Sequence, residues 1–231
     1  MHKRKRTGPF GAAAKSMASG SAYGGAEPGA WNPLEGKRME KALTLFDSAI
    51  IFATKAHSGM TRKGTNVPYI VHPIEAAAIV SAMTDDEEVI AAAVLHDVLE
   101  DTAATEDDLL ARFGRRITEL VIGESENKRR NFPAALTWKI RKQETITFLE
   151  TEADTDAKML ALADKLSNLR AIHRDVCIIG DAVWERFNVK DKSMHGWMYR
   201  SIARALRELK EHPTWQEYNH LVEVVFGDVS L

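Results

Sequence analysis

The chain has 231 residues, of which 45% are hydrophobic and 28% are charged, and its formal net charge is −2 at pH 7. This length is sufficient for one domain with a full hydrophobic core, or for a small pair of domains. No run of about 18 or more apolar residues and no hydrophobic signal region occurs, so the sequence supports neither a membrane span nor a secretory signal. Cys177 is the single cysteine and cannot form an intrachain disulfide, so we expect a protein of the reducing cytoplasm.

Charge is unevenly distributed along the chain. Residues 1–38 carry seven basic and two acidic side chains, a net charge of +5, which leaves −7 for the remainder. An acidic body argues against nucleic acid wrapping around the globular part, although local Lys and Arg residues can still hold a phosphorylated small molecule.

Residues 1–38 are rich in Gly, Ala and Ser and show no periodicity, which is typical of disorder. We interpret them as a disordered leader or tag-like tail and residues 39–231 as the folded domain. A nuclear-import or nucleic-acid patch formed by the basic residues 3–6 is the less favoured alternative.

Apolar residues recur at helical spacing from Met39 onward, and no alternating strand pattern is present. The pattern predicts one all-α domain whose helices cover approximately residues 43–53, 74–80, 86–101, 105–112, 115–125, 133–151, 156–174, 194–211 and 214–227. Polar, Gly-bearing or charged loops are expected at residues 57–68 and 176–193, and ligand contacts usually lie in such loops.

The most informative stretch is HDVLED at residues 96–101, which follows an apolar run. On one continuous helix, His96 would stack with Glu100 and Asp97 with Asp101, so that all four side chains share a broad face. Burying so much unpaired charge beside an apolar segment is costly, and a divalent cation is the simplest compensation.

Two further residues complete a candidate set of metal ligands. His72 lies in PYIVHP and Asp164 in LADKLSN, and together with His96 and Asp97 they provide two imidazoles and two carboxylates. This mixed nitrogen and oxygen set suits Mn²⁺ or Fe²⁺ and tolerates Mg²⁺ or Zn²⁺. No thiolate belongs to the set, which argues against a structural zinc.

The order His72, His96-Asp97, Asp164 resembles the metal site of the HD phosphohydrolase superfamily. The stretches AHSGMTRKGTNVPYIVHP, AAAVLHDVLEDT and LALADKLSNLR resemble the hydrolase domain of Rel/Spo-type alarmone enzymes, and the similarity covers about residues 40–175. Without space for a synthetase domain, the chain resembles a stand-alone small alarmone hydrolase. The resemblance implies an HD-type helical bundle.

The resemblance also implies roles for the acidic residues. The metal would be held by His72, His96, Asp97 and Asp164, and is usually Mn²⁺ in this family. Glu100 and Asp101 match the paired catalytic acids. We expect Glu100 to act as general base. Asp101 would orient the water or a metal ligand, although a helix-capping or salt-bridging carboxylate is an equal alternative.

Basic residues match the positions that hold the substrate's phosphates. Arg62 and Lys63 fall where the family places cations over a 3′-pyrophosphate, and a forked guanidinium can bind two oxygens at once. Asn168 lies one helical turn after Asp164 and is expected to contact ribose or phosphate. The family also has a lid-like basic stretch, which is resembled here by Lys128, Arg141 and Lys142.

At two places the resemblance to the family is incomplete or does not decide a residue's role. ESEN at residues 124–127 replaces the usual threonine and aspartates before the lysine, which bears on substrate fit. His57 matches a family position, and a packing or supporting histidine is at least as plausible there as one that contacts substrate.

The predicted function is a metal-dependent (p)ppGpp 3′-pyrophosphohydrolase that releases GDP or GTP and pyrophosphate. An antitoxin role towards a cognate toxin that makes the alarmone, and assembly as a homo-oligomer, both stay open. One alternative is an HD-domain nucleotidase or phosphatase acting on a dNMP, NADPH or a modified tRNA end. The other is an inert alarmone-binding sensor.

Overall fold

The computed structural model describes residues 42–227, and the predicted leader at residues 1–38 lies outside them. The described residues contain nine α-helices and two short 3-10 segments at Gly180–Arg186 and Arg207–Leu209. The helices are α1 (Leu45–Ala56), α2 (Val71–Val80), α3 (Glu87–Leu95), α4 (Val98–Asp101), α5 (Glu106–Glu124), α6 (Ala134–Thr151), α7 (Thr155–Ile179), α8 (Lys192–Ala205) and α9 (Pro213–Phe226). The all-α prediction is confirmed for this part of the chain.

Short polar side chains begin five of these helices. Each accepts a hydrogen bond from a main-chain amide in the first turn, which satisfies a donor that has no partner within the helix. These N-capping residues are Thr44, Asp86, Thr105, Asp154 and Asp191.

Helix α3 lies at the centre of the core. Val89 and residues 91–95 are completely buried, and the helix packs against α1, α2, α5 and α7. Residues 91–93 are all alanine, and such small side chains let the surrounding helices approach closely. The C-terminal end of α3 is thereby placed next to α2 and α7.

The predicted helix over residues 86–101 is interrupted. Helix α3 ends at Leu95, α4 begins at Val98, and Asp97 has φ −94° and ψ −4°. The Nδ1 atom of His96 lies 2.8 Å from the carbonyl oxygen of Ala93, which would accept the Asp97 amide in an unbroken helix. The expectation that four side chains share one face of a continuous helix is therefore wrong.

Two other boundaries differ from expectation. Helix α7 continues to Ile179 and is followed by the first 3-10 segment, so much of the predicted loop at residues 176–193 is helical. The two helices predicted on either side of residues 113–114 form the single element α5, which bends at Gly114. Gly114 has φ +80°, a conformation that glycine adopts without steric cost.

Among residues 42–227, no helix combines the length and the apolar character needed to cross a bilayer.

Two neighbouring leucines on α5 test the packing directly. Leu109 is completely buried and Leu110 is 50% exposed. We expect Leu109→Ala to lower the free energy of unfolding by about 2–5 kcal/mol, because it removes buried apolar surface and leaves a cavity. Leu110→Ala should change it by less than about 1 kcal/mol. Urea unfolding followed by circular dichroism measures both, and equal losses would contradict this packing.

Candidate metal centre

Four side chains converge where α2, α7 and the turn between α3 and α4 meet. His72 Nε2 lies 2.9 Å from Asp164 Oδ1, and His96 Nε2 lies 3.0 Å from Asp97 Oδ2. The two remaining imidazole–carboxylate distances, His72 to Asp97 and His96 to Asp164, are both 3.5 Å. The structure thus brings together the four residues that the sequence predicts as metal ligands.

Hydrogen bonds at the far side of each imidazole determine which nitrogen faces the cluster. His96 Nδ1 is 2.8 Å from the Ala93 carbonyl oxygen, which can only accept, so Nδ1 carries the proton. His72 Nδ1 is 2.8 Å from the Ser167 hydroxyl oxygen. The same hydroxyl donates to Glu75, so it accepts from His72 Nδ1–H. Both Nε2 atoms therefore face the carboxylates.

The donor set fits a divalent cation. His72, His96 and Asp164 are buried, and His96 Nε2 has no hydrogen-bond partner within the described part of the chain. Lone pairs of two imidazoles and two carboxylates repel one another at these distances unless a positive charge lies between them. Two nitrogen and two oxygen donors suit Mn²⁺ or Fe²⁺.

The pKa shifts within the cluster also indicate a site that favours a bound cation. Burial lowers the pKa of His96, but the charges of Asp97 and Asp164 outweigh it and raise that pKa well above its ordinary value. Burial also opposes ionisation of Asp97, yet His96 and His72 hold the pKa of that carboxyl below its usual range. The site strongly favours positive charge beside its carboxylates.

Lys165 supports the far oxygen of Asp164. Its buried ammonium binds Asp164 Oδ2 and lies 2.7 Å from Glu124 Oε1. Burial would lower the pKa of Lys165, but these two carboxylates raise it well above its ordinary value. Burial raises the pKa of Glu124 to about 7, although Lys165 opposes that shift. This triad links the end of α5 to the ligand on α7.

Glu100 and Asp101 lie on α4 beside the cluster. Glu100 accepts from the Glu126 amide at 2.8 Å and forms an ion pair with Lys128. Burial raises the pKa of Glu100, with Lys128 opposing that effect. Asp101 lies 3.5 Å from the Lys128 ammonium, which agrees with the salt-bridge alternative for this carboxylate.

The Tyr69 side chain lies between the predicted ligand Asp97 and the α4 carboxylate Asp101. Its hydroxyl lies 2.7 Å from Asp97 Oδ2 and 2.9 Å from Asp101 Oδ2. Burial and both carboxylates raise the pKa of Tyr69, so the phenol stays protonated and can donate. No feature of the sequence predicts this role for Tyr69, although it lies three residues before His72.

A cleft of about 760 Å³ opens beside these residues. Arg62, Lys63 and Lys128 line it together with Asn168. Arg62 Nη2 donates to Asn168 Oδ1 at 2.6 Å, and Asn168 Nδ2 donates to Asp164 Oδ1 at 2.6 Å. The Asn168 amide thus connects a cationic side chain of the cleft to a predicted metal ligand.

The remaining predicted phosphate-binding residues are paired within the protein. Arg141 is 6% exposed, and its Nη1 lies 2.6 Å from Glu126 Oε2. Lys142 Nζ lies 2.5 Å from Glu126 Oε1 and reaches the edge of the cleft. Glu126 belongs to the segment whose sequence departs from the family pattern.

His57 is buried beside Tyr69. It is 3% exposed, its ring centroid is 4.8 Å from that of Tyr69, and its ring nitrogens have no hydrogen-bond partner among residues 42–227. Burial lowers the pKa of His57, which keeps the ring neutral. This environment favours the packing role over direct substrate contact.

The family of the protein follows from comparison with known domains. A family model described as HD domain matches residues 49–184, and the chain belongs to the HD domain family. The match includes every predicted metal ligand.

Two curated relatives are similar to part of this chain. A guanosine-3′,5′-bis(diphosphate) 3′-pyrophosphohydrolase from Aquifex aeolicus is 35% identical over 121 residues, covering 52% of this chain and 17% of the relative. The bifunctional (p)ppGpp synthase/hydrolase SpoT of Escherichia coli is 36% identical over 127 residues, covering 54% and 17% respectively. The chain thus spans about a sixth of the length of these curated relatives.

Two solved structures match nearly all of their own length. One, titled as a metazoan ortholog of SpoT that hydrolyzes ppGpp and plays a role in starvation responses, has a TM-score of 0.66 and 25% identity. It covers 81% of this chain and 99% of that one. A Listeria monocytogenes EGD-e protein has a TM-score of 0.60 and 32% identity, covering 71% and 99%.

The ion pairs of Lys165 with Asp164 and Glu124 can be tested by removing the charge of the lysine. We expect Lys165→Met to lower the free energy of unfolding by about 3–5 kcal/mol, because it leaves Asp164 and Glu124 without their buried cation. Lys55→Met, at an exposed position near the end of α1, should cost less than about 1 kcal/mol. Urea titration at pH 7 compares them. A Lys165→Met protein as stable as Lys55→Met would contradict the assigned pairing.

Proposed function

We propose that the protein is a divalent-metal-dependent (p)ppGpp 3′-pyrophosphohydrolase, which converts the alarmone to GDP or GTP and pyrophosphate. The observation that carries this proposal is the buried cluster of two histidines and two aspartates beside a carboxylate pair, in a cleft that also presents cations. The names of the Aquifex and Escherichia coli relatives and of the metazoan structure support the choice of substrate.

His72, His96, Asp97 and Asp164 would hold the metal, and Mn²⁺ is the ion we propose for this nitrogen and oxygen set. When bound, a divalent cation makes water more acidic and offsets negative charge on phosphoryl oxygens. Within the protein, the hydrogen bonds at both Nδ1 atoms keep the two imidazoles in the orientation that binding requires.

Glu100 is the proposed general base. Its carboxylate is mostly buried, which makes it a better proton acceptor than an exposed glutamate, and Lys128 keeps it ionised. Asp101 is the proposed orienting group, because the Tyr69 hydroxyl lies within hydrogen-bond distance of both Asp101 and Asp97. Proton removal and orientation of the attacking water are thus divided between neighbouring residues of α4.

Arg62 and Lys63 are proposed to bind the 3′-pyrophosphate, with Lys128 next to the attacked phosphorus. Asn168 holds the Arg62 guanidinium at one nitrogen, which leaves its other nitrogens available for phosphate oxygens. We also propose that Asn168 contributes to the substrate site. Arg141 and Lys142 would contribute through the electrostatic field that they create together with their ion-pair partner Glu126.

The pairing of Glu126 with both Arg141 and Lys142 favours a second candidate function. Because one carboxylate offsets two cations, less free positive charge is left for a substrate with two diphosphates. An HD-domain nucleotidase or phosphatase acting on a substrate with fewer phosphates, such as a dNMP or NADPH, needs fewer such contacts.

Substrate identity is tested by measuring pyrophosphate release from ppGpp with Mn²⁺, with dNMPs and NADPH as competing substrates. The proposal expects GDP and pyrophosphate as products, and loss of activity on chelation and in Asp97→Ala. Metal-dependent phosphate release from another substrate without turnover of ppGpp would establish the second candidate instead. Tight ppGpp binding without turnover would establish a sensor.

The general base is tested by a substitution that preserves shape. We expect Glu100→Gln to lower kcat by about 10²–10⁴-fold with little change in KM, because the amide cannot accept the proton from water. Glu106→Gln, at an exposed position on α5, is the matched control and should keep wild-type kcat. A Glu100→Gln enzyme with wild-type kcat would exclude this role.

A further inference from the structure

We propose that Ser167 and Glu75 are positioning residues that fix the His72 imidazole for metal binding. They form a short hydrogen-bonded relay from the buried ligand to the protein surface. This inference rests on the proposed metal site and is independent of which nucleotide is the substrate.

The inner half of the relay is buried and has a defined direction. His72 is 3% exposed and Ser167 is 1% exposed. His72 Nδ1 and the Ser167 hydroxyl oxygen are 2.8 Å apart, and that hydroxyl donates to Glu75 Oε2 at 2.8 Å. A carboxylate only accepts hydrogen bonds, so the serine proton is committed to Glu75. The serine oxygen must then accept from His72 Nδ1–H.

The outer half of the relay holds Glu75 in place. Arg170 Nη1 lies 3.2 Å from Glu75 Oε1. The same guanidinium binds both carboxylate oxygens of Glu217 on α9, at 2.6 and 2.7 Å. A bidentate pair of this kind fixes the guanidinium in orientation as well as position. The orientation of a group on α2 is therefore supported from α7 and α9.

The two histidines of the centre are oriented by different means. His96 uses a main-chain carbonyl, which no substitution at that position removes. His72 uses the Ser167 hydroxyl, an amphoteric group that could donate or accept, and only Glu75 decides between the two. Without Glu75, the hydroxyl can turn and donate to Nδ1, which moves the imidazole proton to Nε2 and blocks the metal-facing lone pair.

The relay is tested first at Glu75, by measuring the Kd for Mn²⁺ with isothermal titration calorimetry. We expect Glu75→Ala to raise that Kd by about 10–100-fold, because the serine hydroxyl loses its acceptor. Glu75→Gln keeps a carbonyl oxygen for the serine and should raise the Kd much less. A folded Glu75→Ala protein that binds Mn²⁺ as tightly as wild type would overturn the proposal.

The second test measures the same Kd after substitution of Ser167. We expect Ser167→Ala to raise the Kd for Mn²⁺ by about 10–100-fold, as is typical for loss of a group that orients a ligand. The matched control is Ser201→Ala, which removes a buried serine on α8 outside the cleft and should leave that Kd unchanged. A folded Ser167→Ala protein with wild-type affinity would overturn the relay.

These measurements separate this inference from the proposed function. Wild-type protein that binds Mn²⁺ but does not cleave ppGpp, with weaker binding in Ser167→Ala and Glu75→Ala, would refute the proposed activity and support the relay. Wild-type protein that cleaves ppGpp, with a Kd for Mn²⁺ that both substitutions leave unchanged, would refute the relay alone.

Discussion

The central constraint is the placement of two imidazole nitrogens at 2.9–3.5 Å from the oxygens of two carboxylates, at a largely buried point. Such a cluster is unfavourable without a compensating cation. Three features of the fold maintain it. Helix α3 has small, completely buried side chains at residues 91–93, its end breaks at His96–Asp97, and α2 and α7 each bring one further predicted ligand to that break.

The groups around the centre balance charge in successive layers. Lys165 lies behind Asp164, and Lys128 lies beside Glu100. Farther out, Glu126 offsets Arg141 and Lys142. Residues 124–128, at the end of α5 and the start of the following connection, supply a partner in each layer. This short segment therefore links the candidate metal centre, the proposed base and the basic edge of the cleft.

Much of the centre could be predicted because its ligands stand in short, distinctive motifs. His72, the His96-Asp97 pair and Asp164 were predicted as one set, and the all-α fold follows from apolar spacing. The interruption between α3 and α4 was not predictable from spacing, because it involves a side-chain hydrogen bond from His96 to a main-chain carbonyl. The supporting contacts were also missed: Tyr69 meets Asp101, and Ser167 meets His72 across 95 positions of sequence.

The proposed activity depends most directly on a metal held by two imidazole nitrogens. Electron spin-echo envelope modulation of the protein loaded with Mn²⁺ reports ¹⁴N nuclei bound to the ion. We predict one Mn²⁺ per chain, modulation from two histidine nitrogens in wild type, and loss of one of them in His72→Ala. Mn²⁺ bound without nitrogen modulation, or no stoichiometric binding, would contradict the assignment of this cluster as the metal centre.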